Sequence, residues 1–196
     1  SAASDVYKRQ TNAHNGQTRK GTNLPFIIHP MEVAAIVAAM TLDQDMLCAA
    51  VLHDVVEDCD GISIEDIRRE FGDIVASYVY QESEDKSKTW VERKGHTIDF
   101  LKNRASRNAK IIALGDKLAN IRALYRDYNI LGEELWERFN MKDKKMQSWY
   151  YRGMIEGFAD LSEFHEYEEY CQLVNEVFPE AVSYTHLRAH ETRGNL

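Results

Sequence analysis

Proline is scarce in this chain: Pro25, Pro30 and Pro179 are the only three in 196 residues, so the long middle carries no obligatory helix breaker. Cysteine is equally scarce. Cys48, Cys59 and Cys171 are odd in number and show no C-x-x-C spacing, which argues against a disulfide framework and points to a reducing, cytoplasmic setting. Long apolar runs are missing too. The longest, Val33 to Met40, is far too short to span a bilayer, and the N-terminus lacks the apolar stretch of a secretory signal. Basic excess is absent: 24 Lys and Arg stand against 32 Asp and Glu, a formal net charge of -8. That balance argues against general binding to nucleic acid or to an anionic membrane, both of which require a basic surface. A polyanionic substrate would have to be met by a local basic patch together with a metal ion.

What is present is an ordinary globular composition, 44% hydrophobic, over a length that fits one domain with a substantial core. Apolar spacing predicts helices throughout and no strand of useful length. Pro30 sits where a first helical residue would, opening a helix through Met31 to Val37. A second helix is predicted from about Asp43 through His53 and Val56, extending to the break at Asp58 to Gly61. Ser63 followed by Asp66 forms a capping-box-like start for a short helix ending near Gly72. Further helices are expected over 73–81, 89–104, 107–128, 144–155 and 162–178, and 107–128 carries Ile111, Leu114, Leu118, Ile121, Leu124 and Tyr125 at helical spacing. The fold class is therefore all-α, a single compact multi-helix domain over residues 11–181. The ends, 1–10 and 182–196, lack continuous amphipathic periodicity and resemble translated sequencing-adapter sequence (Ser4–Gln10 and Ser183–Thr192), so they are expected to be non-native or disordered. His186 and His190 are set aside with them, despite their H-x-x-x-H spacing.

The run Leu52-His53-Asp54-Val55-Val56-Glu57-Asp58 carries the chemistry. An adjacent His-Asp pair inside an apolar helical stretch is costly to bury unless paired or metal-bound. On a continuous helix His53 stacks with Glu57 and Asp54 with Asp58, giving two ligand-type and two acid/base-type groups together. His29, just before Pro30, and Asp116, interrupting the apolar run Ile111 to Leu118, are weak signals alone. A lone histidine is more often structural, and a lone carboxylate is often a hydrogen-bond hub. Together, two imidazoles and two carboxylates suit manganese, iron, cobalt or zinc with open positions for water and substrate. Cys59 beside the acidic pair reads as a packing residue rather than a ligand.

The H…HD…D pattern resembles the HD phosphohydrolase superfamily, and the flanking stretches resemble its alarmone-hydrolase branch, the hydrolase domain of RelA/SpoT proteins and the small alarmone hydrolases. The matching stretches are Arg19-Lys20-Gly21-Thr22, Pro25 to Pro30, Ala50 to Asp58, Phe71-Gly72, Glu92-Arg93-Lys94 and Ala109 to Ile121. Phe26 stands where the family commonly has tyrosine, Gly115 where alanine is typical, the Gly21–Pro25 segment is longer than usual, and Glu82 to Lys88 matches the family's acidic-then-lysine segment only loosely.

The resemblance implies a Mn²⁺-dependent 3′-pyrophosphohydrolase of guanosine tetra- and pentaphosphate, a cytoplasmic enzyme with a small-molecule nucleotide substrate. By position, His29, His53, Asp54 and Asp116 would hold the metal, while Glu57 and Asp58 would position and deprotonate the attacking water. Arg19 and Lys20 would contact phosphate or base, and Asn120 the nucleoside. Lys86, Lys88, Lys117 and Arg122 are basic candidates for the pyrophosphate, against the plainer reading of solvated surface charge. Two alternatives stay open: an HD phosphohydrolase of another nucleotide or phosphoester, and a catalytically silent nucleotide-binding module. No synthetase-type stretch follows the motifs, so a free-standing hydrolase is expected.

Overall fold

The computed structural model describes residues 2–179, and within them the chain forms ten α-helices and no strand. The all-α expectation holds. In chain order the helices are α1 (Ala2–Ala13), α2 (Ile28–Met40), α3 (Gln44–Leu52), α4 (Val55–Asp58), α5 (Ile64–Phe71), α6 (Asp73–Glu82), α7 (Trp90–Asn103), α8 (Arg107–Leu131), α9 (Lys144–Gly157) and α10 (His165–Val177). Residues 182–196, with His186 and His190, lie outside the described residues.

Local sequence sets most of the boundaries. Asp43 caps α3 by accepting from the Asp45 and Met46 amides at 2.9 and 3.1 Å. Ser63 and Asp66 close the expected capping box on α5, and Gly72 ends that helix with φ +92°, a backbone conformation that glycine adopts at little cost. Ser106 caps α8.

Helix α8 is the axis of the molecule. From Ala109 to Leu124 most of its residues are buried, because α2 and α10 pack along the helix and α3 and α6 also reach it. The approach of α2 is close at Gly115: a Cβ there would lie 2.6 Å from Val37 Cγ2. Glycine in place of the family's usual alanine therefore has a packing reason. A second layer forms where α7 packs on α9.

Two expectations differ from the structure. Residues 2–10 belong to helix α1, docked on α3 through the buried Val6 and Gln10. Its inward face places an amide where a hydrocarbon would stand, so the apolar period is hidden in the sequence. The helix predicted across His53 is also not continuous. The chain bends at His53 and Asp54, with Asp54 at φ -104°, ψ -7°, and the Asp54 carbonyl accepts from both the Glu57 and Asp58 amides. Adjacent residues on a regular helix point about 100° apart. The bend brings two adjacent side chains into one cavity, in place of the expected stacking of His53 on Glu57.

Candidate metal centre

Four of the expected residues converge from three elements. His29 comes from the first turn of α2, His53 and Asp54 from the bend between α3 and α4, and Asp116 from the middle of α8. All four are at least nine-tenths buried. One ligand-type atom from each of His29, His53 and Asp54 lies within 4.8 Å of the others. Asp116 Oδ1 faces both imidazoles, 3.1 Å from His29 Nε2 and 3.5 Å from His53 Nε2.

Each side chain is held by a neighbour. His53 Nδ1 donates to the Ala50 carbonyl at 2.8 Å, which turns Nε2 toward the carboxylates. Asp54 Oδ1 accepts from Gln10 Nε2 at 2.8 Å and lies 3.3 Å from His14 Nε2. Its Oδ2 is buried with no hydrogen-bond partner, 3.8 Å from His53 Nε2. Asp116 accepts from Asn120 Nδ2 at 2.8 Å and from Lys117 Nζ at 2.6 Å.

Burial opposes charge on every one of these groups, and their mutual attraction decides the outcome. For His53, burial is outweighed by Asp54 and Asp116, which push it up to about 10. For His29 burial wins over Asp116, and its imidazole is held below the usual histidine range. Asp116, against its burial, is held well below the usual carboxylate range by Lys117 and the two imidazoles. Asp54 is lowered as well, with His53, His14 and Gln10 overcoming its burial.

Glu57 and Asp58 stand at the rim of the same cavity, about 330 Å³. Glu57 accepts from the Glu84 amide, and burial raises it above the usual carboxylate range, with the Glu84 and Asp58 charges adding to the effect. Asp58 is raised by burial and by Asp54, while Lys86 Nζ lies 3.7 Å away. Arg19 and Asn120 line this cavity and a neighbouring one of about 220 Å³, in which Lys20 also sits, and Arg19 Nη2 donates to Asn120 Oδ1 at 3.3 Å. Phe26 lines both as well. It stacks on His14 with centroids 4.5 Å apart and lies 5.9 Å from the Arg19 guanidinium, so the ring keeps a packing role without the hydroxyl.

Two expected substrate residues are placed elsewhere. Arg122 is turned to α10, bonded to both Glu169 oxygens at 2.6 and 2.7 Å with Glu32 at 3.4 Å, and clamps α2, α8 and α10 together. Lys88 lines a third cavity between α6 and α7, of about 670 Å³, and not the metal cavity. Cys59 Sγ faces the Ala13 carbonyl at 3.3 Å and His14, and burial pushes its thiol up to about 11, so it is a neutral packing group. Several residues escaped the sequence reading. His14 and Gln10 come from a segment set apart or passed over, and Glu82, Glu84 and Lys94 surround Glu57 from α6 to α7. For that wall the sequence carried two signals, the Glu92-Arg93-Lys94 stretch and the looser match over Glu82 to Lys88.

A profile of the HD domain family matches residues 7–132. The chain belongs to the HD domain family. The matched stretch includes the bend that carries His53 and Asp54, and α9 and α10 lie beyond it. Among curated relatives, guanosine-3′,5′-bis(diphosphate) 3′-pyrophosphohydrolase of Vibrio cholerae is 42% identical over 117 residues, 57% of this chain and 16% of that protein. The enzyme of the same name, MESH1, from Drosophila melanogaster is 41% identical over 114 residues, 57% of this chain and 63% of that protein. This HD chain thus spans only a part of each. A solved structure of a metazoan ortholog of SpoT that hydrolyses ppGpp superposes with a TM-score of 0.74 at 26% identity, over 89% of this chain and 94% of that one. No helix among the described residues is long and apolar enough to cross a membrane.

Proposed function

We propose that this HD domain removes the 3′-pyrophosphate of guanosine tetra- and pentaphosphate with a bound divalent metal ion, manganese by family resemblance, leaving GDP or GTP. The observation that carries the reading is the convergence of His29, His53, Asp54 and Asp116 in one cavity with Glu57 and Asp58 at its rim. The relatives named for this activity supply the substrate.

The donor set fits an ion. Asp54 Oδ2 is a buried oxygen with no hydrogen-bond partner, beside two imidazole nitrogens and a second carboxylate. That mixture of nitrogen and oxygen donors suits a borderline divalent metal. When bound, the ion supplies Lewis acidity that lowers the pKa of a coordinated water toward neutrality. His53 gives up its proton on loading, so loading is favoured as pH rises.

The remaining work falls to the protein. Glu57 is the general base: its raised pKa moves it toward the working pH, and the Glu84 amide fixes the carboxylate that receives the proton. Asp58 orients the water, with Lys86 beside it for phosphate. Lys94 and Lys117, both on the cavity wall, meet the pyrophosphate charge. Arg19, Lys20 and Asn120 hold the nucleoside side, where the metal cavity opens into its neighbour.

The test is product analysis on metal-stripped protein incubated with guanosine tetraphosphate, with and without Mn²⁺. Metal-dependent release of GDP and pyrophosphate is expected. Silence on this substrate, with Mn²⁺-dependent turnover of another nucleotide or phosphoester, would move the chain to a different HD hydrolase activity.

A further inference from the structure

Helix α9 lies outside the stretch matched by the family profile, yet it reaches the site. Tyr150 on α9 is 4% exposed, and its hydroxyl is buried with no hydrogen-bond partner. The cations that Tyr150 meets lie against its ring. Two lysines share that ring. Lys94 Nζ, from α7, is 4.8 Å from its centroid, and Lys117 Nζ, from α8, is 6.0 Å away. The ring is itself locked, edge-on to Trp90 at 6.0 Å and to Tyr151 at 5.4 Å. Both ammonium groups open onto the metal cavity, with only 18% and 14% of their side chains exposed.

Two like charges at one cavity wall repel, and each is paired with a carboxylate of the same wall: Glu84 for Lys94 and Asp116 for Lys117, both at 2.6 Å. The negative face of an aromatic ring attracts both cations and offsets their repulsion. We propose that Tyr150 is a positioning residue that gathers Lys94 and Lys117 on one ring as the seat for the pyrophosphate group. The residue touches no reacting atom. It sets how tightly the phosphoanhydride end of the substrate, and the released pyrophosphate, are held. The identity of the seated group rests on the hydrolase reading above.

The ring and not the hydroxyl does the positioning, so three replacements separate the roles. The probe is inorganic pyrophosphate, titrated by calorimetry into the full, metal-free chain. Tyr150→Phe keeps the ring and is expected to bind pyrophosphate as the parent does. Tyr150→Leu removes the ring, and affinity is expected to fall about tenfold for two partly desolvated cation–π contacts. Should the leucine variant fail to fold, replacement of the Tyr150 ring by pentafluorophenylalanine keeps the shape while reversing the charge on the ring face, with the same loss expected. Fluorination also disturbs the edge-on contacts with Trp90 and Tyr151, so pyrophosphate affinity, and not stability, is the readout. Unchanged affinity with the fluorinated ring, an equal loss in Tyr150→Phe, or no pyrophosphate binding by the parent chain would overturn the proposal. Hydrolysis of guanosine tetraphosphate by the parent is scored separately: its absence, with pyrophosphate still bound through the ring, would sink the hydrolase reading and leave the anion seat standing.

Discussion

Replacing Glu82 by Gln tests the electrostatics of the site on one carboxyl group. Glu82 ends α6 on the wall shared by the metal cavity and the cavity between α6 and α7. No hydrogen bond or ion pair reaches its carboxylate among the described residues. Burial pushes it from 4.5 up to about 7, with Asp116 and Glu57 adding to the rise and Lys117 and His53 opposing it. The folded protein therefore holds this proton more tightly than the unfolded chain. The stabilisation is fully present below the unfolded value of 4.5 and is lost as pH rises through about 7. That shift corresponds to at most about 3 kcal/mol, and the side chain's partial access to cavity water brings the figure down. Glu82→Gln keeps the shape and cannot ionise. In urea unfolding of metal-stripped protein the two chains should be nearly equal at pH about 4, and the variant should be more stable by about 1 to 3 kcal/mol at pH about 8. Groups that do not interact with Glu82 act on both chains and drop out of the difference. With a divalent ion bound the gap should narrow, because a nearby cation favours the carboxylate. A gap that stays constant across pH would refute the raised pKa and the electrostatic account of this wall.

Three further outcomes are expected. His53→Ala or Asp54→Ala should abolish metal binding and turnover together in calorimetric and product assays; full turnover in the Asp54 variant would refute the metal assignment. Glu57→Gln should bind the ion normally while kcat falls by about 10²- to 10⁴-fold, the usual worth of a general base, and a rate within twofold of the parent would remove it from that role. Gly115→Ala should lower stability by about 1–3 kcal/mol, since its Cβ meets Val37 Cγ2 at 2.6 Å, and an unchanged melting temperature would show that α2 yields at no cost.

The parts of this molecule that local chemistry decides were readable in the chain. Apolar spacing and the scarcity of proline indicate the helices, and Ser63 with Asp66 marks the start of α5. His29, His53, Asp54 and Asp116 are readable because each sits in a recognisable stretch. The bend at His53 and Asp54 was not, since no glycine or proline marks it and the need to turn both side chains into one cavity is a tertiary demand. Gln10 and His14 reach Asp54 across 44 and 40 residues, and Tyr150 meets Lys94 and Lys117 from a helix beyond any motif. Arg122 errs the other way. Its basic charge made it a candidate for the pyrophosphate, but Glu169 lies on α10, whose place beside α8 only the packing reveals.

Asp116 and Asn120 stand one turn apart on α8, about 6 Å along its axis at the ordinary helical rise. On the proposed reading the first holds the metal and the second faces the nucleoside. The gap between the two ends of the substrate is then gauged by a buried rod, not by a loop. Loops lengthen and shorten readily, whereas adding one residue between these positions would swing one of them about 100° out of the site. Preference for a given sugar-to-phosphate reach is thereby tied to helical pitch. A lineage needing a different reach would have to move the Arg19–Phe26 segment, which bears on the same gap from the surface.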